Sequence, residues 1–183
     1  MLNADFKAGI EDSVWQVIPT RWVELAMERW TPEGQRGEMD SCGADVARGG
    51  QDETVVSTRY GNWYAPLKRW PGKETPNGSV TAGLIVSCLR DGAPVHVDAL
   101  GVGGETIGHL ESNGMQVVPV VGYDTDSCVA QTDKATGKLR FRNLRAMIWW
   151  RSREMLDPQT GCRIALHPDP KLKAGLCAAL WKL

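Results

Sequence analysis

Two aspartates stand where carboxylates can do metal chemistry. Asp45 falls on the stretch Met39 to Ala47, which reads as a strand and runs into a Gly49-Gly50 turn. Asp98 lies near the end of Pro94 to Leu100, a strand in which Val95, Val97 and Ala99 face one way and His96, Asp98 and Leu100 the other. Side by side, two such carboxylates form a hard-oxygen site suited to Mg²⁺ or Mn²⁺. A pair of these ions ~3.5–4 Å apart clamps the attacking and leaving oxygens of a phosphodiester. On spacing alone, an ordinary strand-end role for each Asp is the commoner case. His96 shares the face of Asp98 and offers an auxiliary role, although a packed strand histidine is commoner. Asp52, in the QDET stretch, offers a water-mediated contact, with a solvated turn as the favoured reading. Asp124 and Asp126 are a further acidic pair, but loop pairs of this kind usually face solvent.

Charge is concentrated elsewhere. Between Lys138 and Glu154 run six basic residues, Lys138, Arg140, Arg142, Arg145, Arg151 and Arg153, against one acid. Binding to a DNA backbone comes mainly from charge neutralisation. Arg140 and Arg142, beside a flexible loop, are the first candidates for phosphate contact, with Lys138 and Arg145 next to them; a solvated helix face is the alternative. Trp149-Trp150 read as packing residues, and His109 and His167 have no ligand partner at useful spacing. No G-x-x-x-x-G-K-[ST] phosphate loop occurs, and GVGGET lacks the lysine, so ATP hydrolysis is not expected. Neither a Ser-His-Asp nor a Cys-His arrangement can be argued.

Composition sets outer bounds. A chain of 183 residues suits one domain, and its net charge of -1 excludes a protein coated in positive charge while permitting a local basic groove. The five cysteines include no C-x-x-C pair and are odd in number, which argues against zinc and against a disulfide framework and for reduced, buried thiols in a cytosolic protein. No basic-then-apolar leader opens the chain, and no apolar run approaches the ~18 residues a membrane span needs.

The elements that must position these groups can be read from periodicity. Residues 1–16 have none and read as an arm. Residues 20–30 read as a helix capped by Thr20 and ended by Pro32 and Gly34. Glu53 to Tyr60, rich in Val and Thr, is a second strand, and Trp63 to Leu67 a third. A polar loop over 71–78 leads to a helix from about Val80 to Arg90, capped by Ser79. After the Asp98 strand, Glu105 to Asn113 is a short helix ended by Gly114. Met115 to Val121 is an apolar strand, expected to be buried on both faces. Strand, helix and strand in this order imply a parallel pair. A polar loop over 122–139, a helix from Arg140 to Leu156, a short piece at Ile164 to Leu166 and a last helix from Asp169 to Leu180 complete an α/β domain with a mixed sheet.

Several of these segments also carry a family resemblance. CGADVARGGQDETVVSTRYGNWY resembles the opening of the nuclease domain in large terminase subunits of tailed bacteriophages. PVHVDALGVGGETIGHLESNGMQVVPV resembles the strand–helix–strand that follows, and FRNLRAMIWWRSREML and IALHPDPKLKAGLCA resemble later helices. The match runs in order from about Trp15 to the last residue. It implies an RNase H-like (RuvC/resolvase-type) fold, a mixed sheet flanked by helices. It also implies a metal-dependent endonuclease that cleaves concatemeric viral DNA with two Mg²⁺ or Mn²⁺ ions, Asp45 as the first carboxylate and Asp98 as the second. The implied partners are double-stranded DNA, the terminase ATPase domain, the small terminase subunit and the portal, in the cytoplasm of the bacterial host. The implied division is a linker or arm with one helix over 1–38 and the nuclease domain over 39–183. The family's third acidic ligand normally comes from a helix beyond the segment matching Ala174 to Leu183, so the domain is expected to be C-terminally incomplete and weak in cleavage. Two other readings remain: a non-catalytic prophage remnant or truncated scaffold that binds DNA or the portal without cutting, and a different RNase H-like nuclease such as a junction resolvase.

Overall fold

The computed structural model describes residues 15–35, 37–47 and 51–181. The expected Gly49-Gly50 turn and most of the expected N-terminal arm lie outside the described residues. Helix α1 spans Thr20–Glu28. It is followed by strands β1 (Ser41–Asp45), β2 (Glu53–Tyr60), β3 (Trp63–Tyr64) and β4 (Lys68–Pro71). Helix α2 (Gly78–Cys88), strand β5 (Val95–Asp98), helix α3 (Gly103–Ser112) and strand β6 (Val117–Val120) come next, then helices α4 (Leu144–Leu156) and α5 (Pro170–Ala178).

Six strands form one sheet in the order β3-β2-β1-β5-β6, with β4 also paired to β2. The β1–β2 pair is antiparallel, and β5 lies parallel to both β1 and β6. Strands β3 and β4 both pair with β2, at Arg59–Tyr60 and at Glu53–Val56 respectively, so they are two pieces of one interrupted strand. Pro66 lies in the break, where its missing N–H cannot serve a ladder. The mixed sheet expected from the sequence is present; β4, whose Lys68-Arg69 start carries no strand pattern, was not expected.

Strand alternation sorts the sheet into two faces. Cys42, Ala44, Val56, Val95 and Val97 point to one face and pack with Ala82, Ile85, Ile107 and Leu110 of α2 and α3. Two glycines permit this layer to close. A Cβ on Gly78 would lie 2.7 Å from the Glu105 carbonyl carbon, so only glycine lets α2 start against α3. A Cβ on Gly103 would lie 1.7 Å from the carbonyl oxygen of Asp98, so the start of α3 presses directly on the last residue of β5. The opposite face looks toward α4 and α5. These helices join α1 in a second cluster built on Val17, Ile18, Val23, Ala26, Leu156, Ile164, Leu166 and Cys177, with Trp22, Trp149, Trp150 and Trp181 at its margins.

Four local expectations are corrected. Thr20 begins α1 rather than capping it; Pro19 holds the cap position and no side chain caps that end. Asn77, not Ser79, caps α2 by accepting the Val80 N–H. Helix α4 begins at Leu144, not Arg140, because the Asn143 side chain accepts the Ala146 N–H while Arg140 is held in a bridge to Thr132. Strand β6 is not buried on both faces: it is the outermost strand on its side, and Val118 is 37% exposed. Pro119 on that edge withholds one donor from any further strand. Gly114 does end α3 in the left-handed region, at φ +71°.

Candidate metal centre

Parallel pairing of β1 with β5 aligns Gly43 with His96 and Ala44 with Val97, so the next residues along the two strands are Asp45 and Asp98. Each is the last residue of its strand. Both project from the face opposite the α2–α3 layer, into a cleft of about 740 Å³ between the sheet and helices α4 and α5. Gly43, Ser57 and His96 form part of its floor; Ile148, Trp149, Leu172 and Leu176 form part of its far wall. A chain in this arrangement leaves a sheet face open at the carboxyl ends of adjacent parallel strands, the usual place for ligands in open α/β sheets.

The two acids lie within electrostatic reach of each other. The Asp45 carboxyl is held above the usual aspartate range, first by desolvation at the strand end, then by the charge of Asp98 and then by that of Asp52. Like charges brought together favour any cation that can neutralise them. Asp98 is fixed by its own backbone: Oδ1 accepts the Leu100 N–H at 3.0 Å. Because Gly103 packs on the carbonyl of the same residue, α3 and the turn before it set the height of the carboxylate.

His96 lines the cleft with the two aspartates, and so does Arg145. Asp52 lies within electrostatic reach of Asp45 but does not line the cleft. Arg140 and Arg142 line a second, smaller pocket on the other side of the start of α4, and Lys138 lines neither. Asp124 and Asp126 are absent from both linings. Asp124 accepts the Asp126 N–H at 2.9 Å, and hydrogen bonds from Ser127 and Asp126 hold its carboxyl below the usual range, as in a self-contained turn. Among the described residues, no group of three or more His, Cys, Asp and Glu side chains is placed to hold a metal ion. Asp45 and Asp98 together offer hard oxygens of the kind that suit Mg²⁺ or Mn²⁺.

Sequence reasoning missed further polar side chains of the cleft. Arg69, His167 and Lys171 line it as well. Arg69 bonds Asp169 at 2.7 Å, and Lys171 bonds Glu53 at 3.1 Å, so β4 and β2 are tied to the start of α5. Asp169 also caps α5 by accepting the Leu172 N–H. Burial opposes its charge, but that hydrogen bond and Arg69 leave its carboxyl below the usual range. These pairings join residues about a hundred positions apart, and no local pattern announces them.

The strand order, the parallel β1–β5 pair and the helices on both faces define an RNase H-like α/β domain. No protein-family profile and no curated protein matches the chain. Solved structures do. The nuclease domain of the large terminase subunit gp2 of bacterial virus Sf6 superposes with a TM-score of 0.66 at 18% identity, covering 91% of this chain and 83% of that one. A mutant of the same domain with manganese and beta-thujaplicinol gives 0.65 at 18% identity over the same shares. The large terminase nuclease from thermophilic phage G20c with bound magnesium gives 0.59 at 16%, covering 90% and 80%. At these identities the likeness is one of fold: the chain has the architecture of phage large-terminase nuclease domains.

Proposed function

We propose that this domain is a divalent-metal-dependent DNA endonuclease of the kind that serves phage DNA packaging. One observation carries the reading: Asp45 and Asp98 end neighbouring parallel strands on the same face, at a cleft whose other walls carry Arg145, Arg69 and Lys171. Two carboxylates supply anionic, hard-oxygen donors, and the raised Asp45 carboxyl supports a site that gains from a cation. Asp45 and Asp98 would hold Mg²⁺ or Mn²⁺, which would supply Lewis acidity and lower the pKa of a water for phosphodiester hydrolysis. Asp45 and Asp98 hold the cation side of the site, and the Leu100 N–H keeps Asp98 in one orientation. Arg145 faces the same space and neutralises backbone phosphate. Lys138, Arg140 and Arg142 are exposed cations that extend the DNA-contacting surface away from the cleft. Nothing among these groups reads base edges, so cutting is sequence-tolerant. The ATPase domain, the small terminase subunit and the portal are the partners such a nuclease serves.

Plasmid nicking with Mn²⁺ tests this reading. Asp45→Asn and Asp98→Asn should each reduce cleavage by orders of magnitude while leaving the far-ultraviolet circular dichroism unchanged. Nicking that survives both substitutions would remove the proposed centre. Because Asp45 holds its proton to a higher pH than an ordinary aspartate, Mn²⁺ binding should weaken on acidification before a normal carboxylate would titrate.

A second reading has one observation of its own. Only two carboxylates line the cleft among the described residues, which favours a scaffold that binds DNA without cutting it. Calorimetry with Mn²⁺ separates the two: saturable binding lost in Asp45→Asn supports the nuclease, and no binding supports the scaffold.

A further inference from the structure

The second pocket, about 340 Å³ in volume, is built from the loop that leads into α4, the first turns of α4 and the last described residues of the chain. Its lining includes Phe141, Trp149, Trp150 and Trp181, four aromatic side chains, together with Arg140 and Arg142. No acidic residue lines it. Both arginines are exposed, and among the described residues neither side chain pairs with a carboxylate. The aromatic residues of the pocket contact one another and neighbouring arginines. Trp150 meets Trp181 edge-on at 5.8 Å, and Arg153 lies over the Trp150 ring at 5.4 Å. Phe141 is braced by Arg151, 5.7 Å from its ring centre. The first amides of α4 are already bonded, Leu144 to Asp124, Arg145 to Gly122 and Ala146 to the Asn143 side chain. The Leu144, Arg145 and Ala146 amides are therefore not free to bind a ligand.

We propose that this pocket takes an unstacked nucleobase of single-stranded DNA, with the flanking phosphates on Arg140 and Arg142. An acid-free cleft with aromatic walls and two exposed arginines at one edge matches the two halves of a nucleotide, a π-face and an anion. Proteins that hold single strands combine such a stacking wall with cationic contacts. A blunt duplex offers the phosphates but keeps its bases stacked, so it fills only the arginine half. The pocket shares Trp149 with the Asp45–Asp98 cleft, which places the single strand on the opposite side of that residue from the carboxylates. The inference rests on the reading that this face meets nucleic acid, and gives that face a preferred strand state.

The test is titration of the protein with a short oligodeoxythymidylate, and with a blunt duplex of equal length, read by tryptophan fluorescence. The oligonucleotide should quench the fluorescence and bind more tightly than the duplex. Arg140→Ala combined with Arg142→Ala, and separately Phe141→Leu, should each weaken single-strand binding by roughly tenfold. Only the arginine variant should lower the salt dependence. Equal affinity for single strand and duplex, or quenching that both variants leave intact, would overturn the inference while the DNA-contact reading stands. No binding of either nucleic acid would overturn both. Equal quenching by an oligoglutamate peptide would assign the pocket to an acidic protein segment and overturn the single-strand assignment.

Discussion

The two faces of the sheet are made by the same strands and treated in opposite ways. On one, Cys42, Ala44, Val56, Val95 and Val97 meet α2 and α3 in a closed layer. On the other, Gly43, Asp45, Ser57, His96 and Asp98 look into an open cleft under α4 and α5. The closed face supplies rigidity: hydrophobic burial and two glycine-dependent approaches fix where β1 and β5 end. The open face makes use of that fixed position. Carboxylates can be held together against their mutual repulsion because the opposite side of their strands is packed. Core-packing and cleft-facing residues thus alternate along the same strands, and substitutions one position apart should have effects of different kinds.

The largest expected effect tests the closed face. Leu110, fully buried beneath the sheet, should cost ~2–5 kcal/mol when replaced by alanine. Ile148→Ala in the cleft, where the side chain is 42% exposed, should change stability by less than about 0.5 kcal/mol. Equal losses in denaturant melts would break the comparison. Gly103→Ala links the two faces. Its new methyl must displace the Asp98 carbonyl, at a cost of ~1–3 kcal/mol, and Mn²⁺ affinity should fall with it. Normal affinity in a destabilised variant would show that α3 does not set the position of Asp98.

A smaller effect sharpens the comparison at the loop feeding α4, which is held by polar contacts rather than by a core. Asp133 is buried and accepts the backbone N–H groups of Thr136, Lys138 and Leu139 as well as the Thr136 hydroxyl. Burial opposes its charge, yet these bonds outweigh it and bring the carboxyl down to about 2. A lowered value stabilises the loop above the unfolded aspartate range, near ~3.9, and that support is lost as pH falls toward the folded value. Asp133→Ala should speed hydrogen exchange at those three amides and leave β1 and β5 protected. The smallest effect is at Asp45. Its raised pKa means that the charged form disfavours the folded state: the benefit is present below the unfolded value and lost as pH rises. Without metal and at neutral pH, Asp45→Asn should therefore raise the melting temperature slightly, and Mn²⁺ should stabilise the parent protein alone. A lower melting temperature for the variant would show that Asp45 has a structural partner.

Periodicity carried the central elements well. Glu53 to Tyr60 is a strand at the bounds its Val and Thr content implied, and the strand–helix–strand from Val95 to Val120 was readable from alternation, a short helix and Gly114. The shared face of His96 and Asp98 followed from strand parity. Element ends were less legible. Asn77 and Asn143 took the capping roles because their side chains reach the amides three residues on, a local competition that residue type alone does not resolve.

By itself, the sequence determined every strand but β4 and which of their residues alternate, because side-chain parity and turn chemistry are properties of a few neighbouring residues. It also contained Asp45 and Asp98 as carboxylates at strand ends. Only the tertiary structure decided that these strands are neighbours in parallel register, that β6 lies at an edge, that Arg145 turns into the cleft while Arg140 and Arg142 turn away, and that Arg69 reaches Asp169. Those outcomes depend on contacts between segments tens to a hundred residues apart, where burial and charge pairing across the whole domain override every local preference.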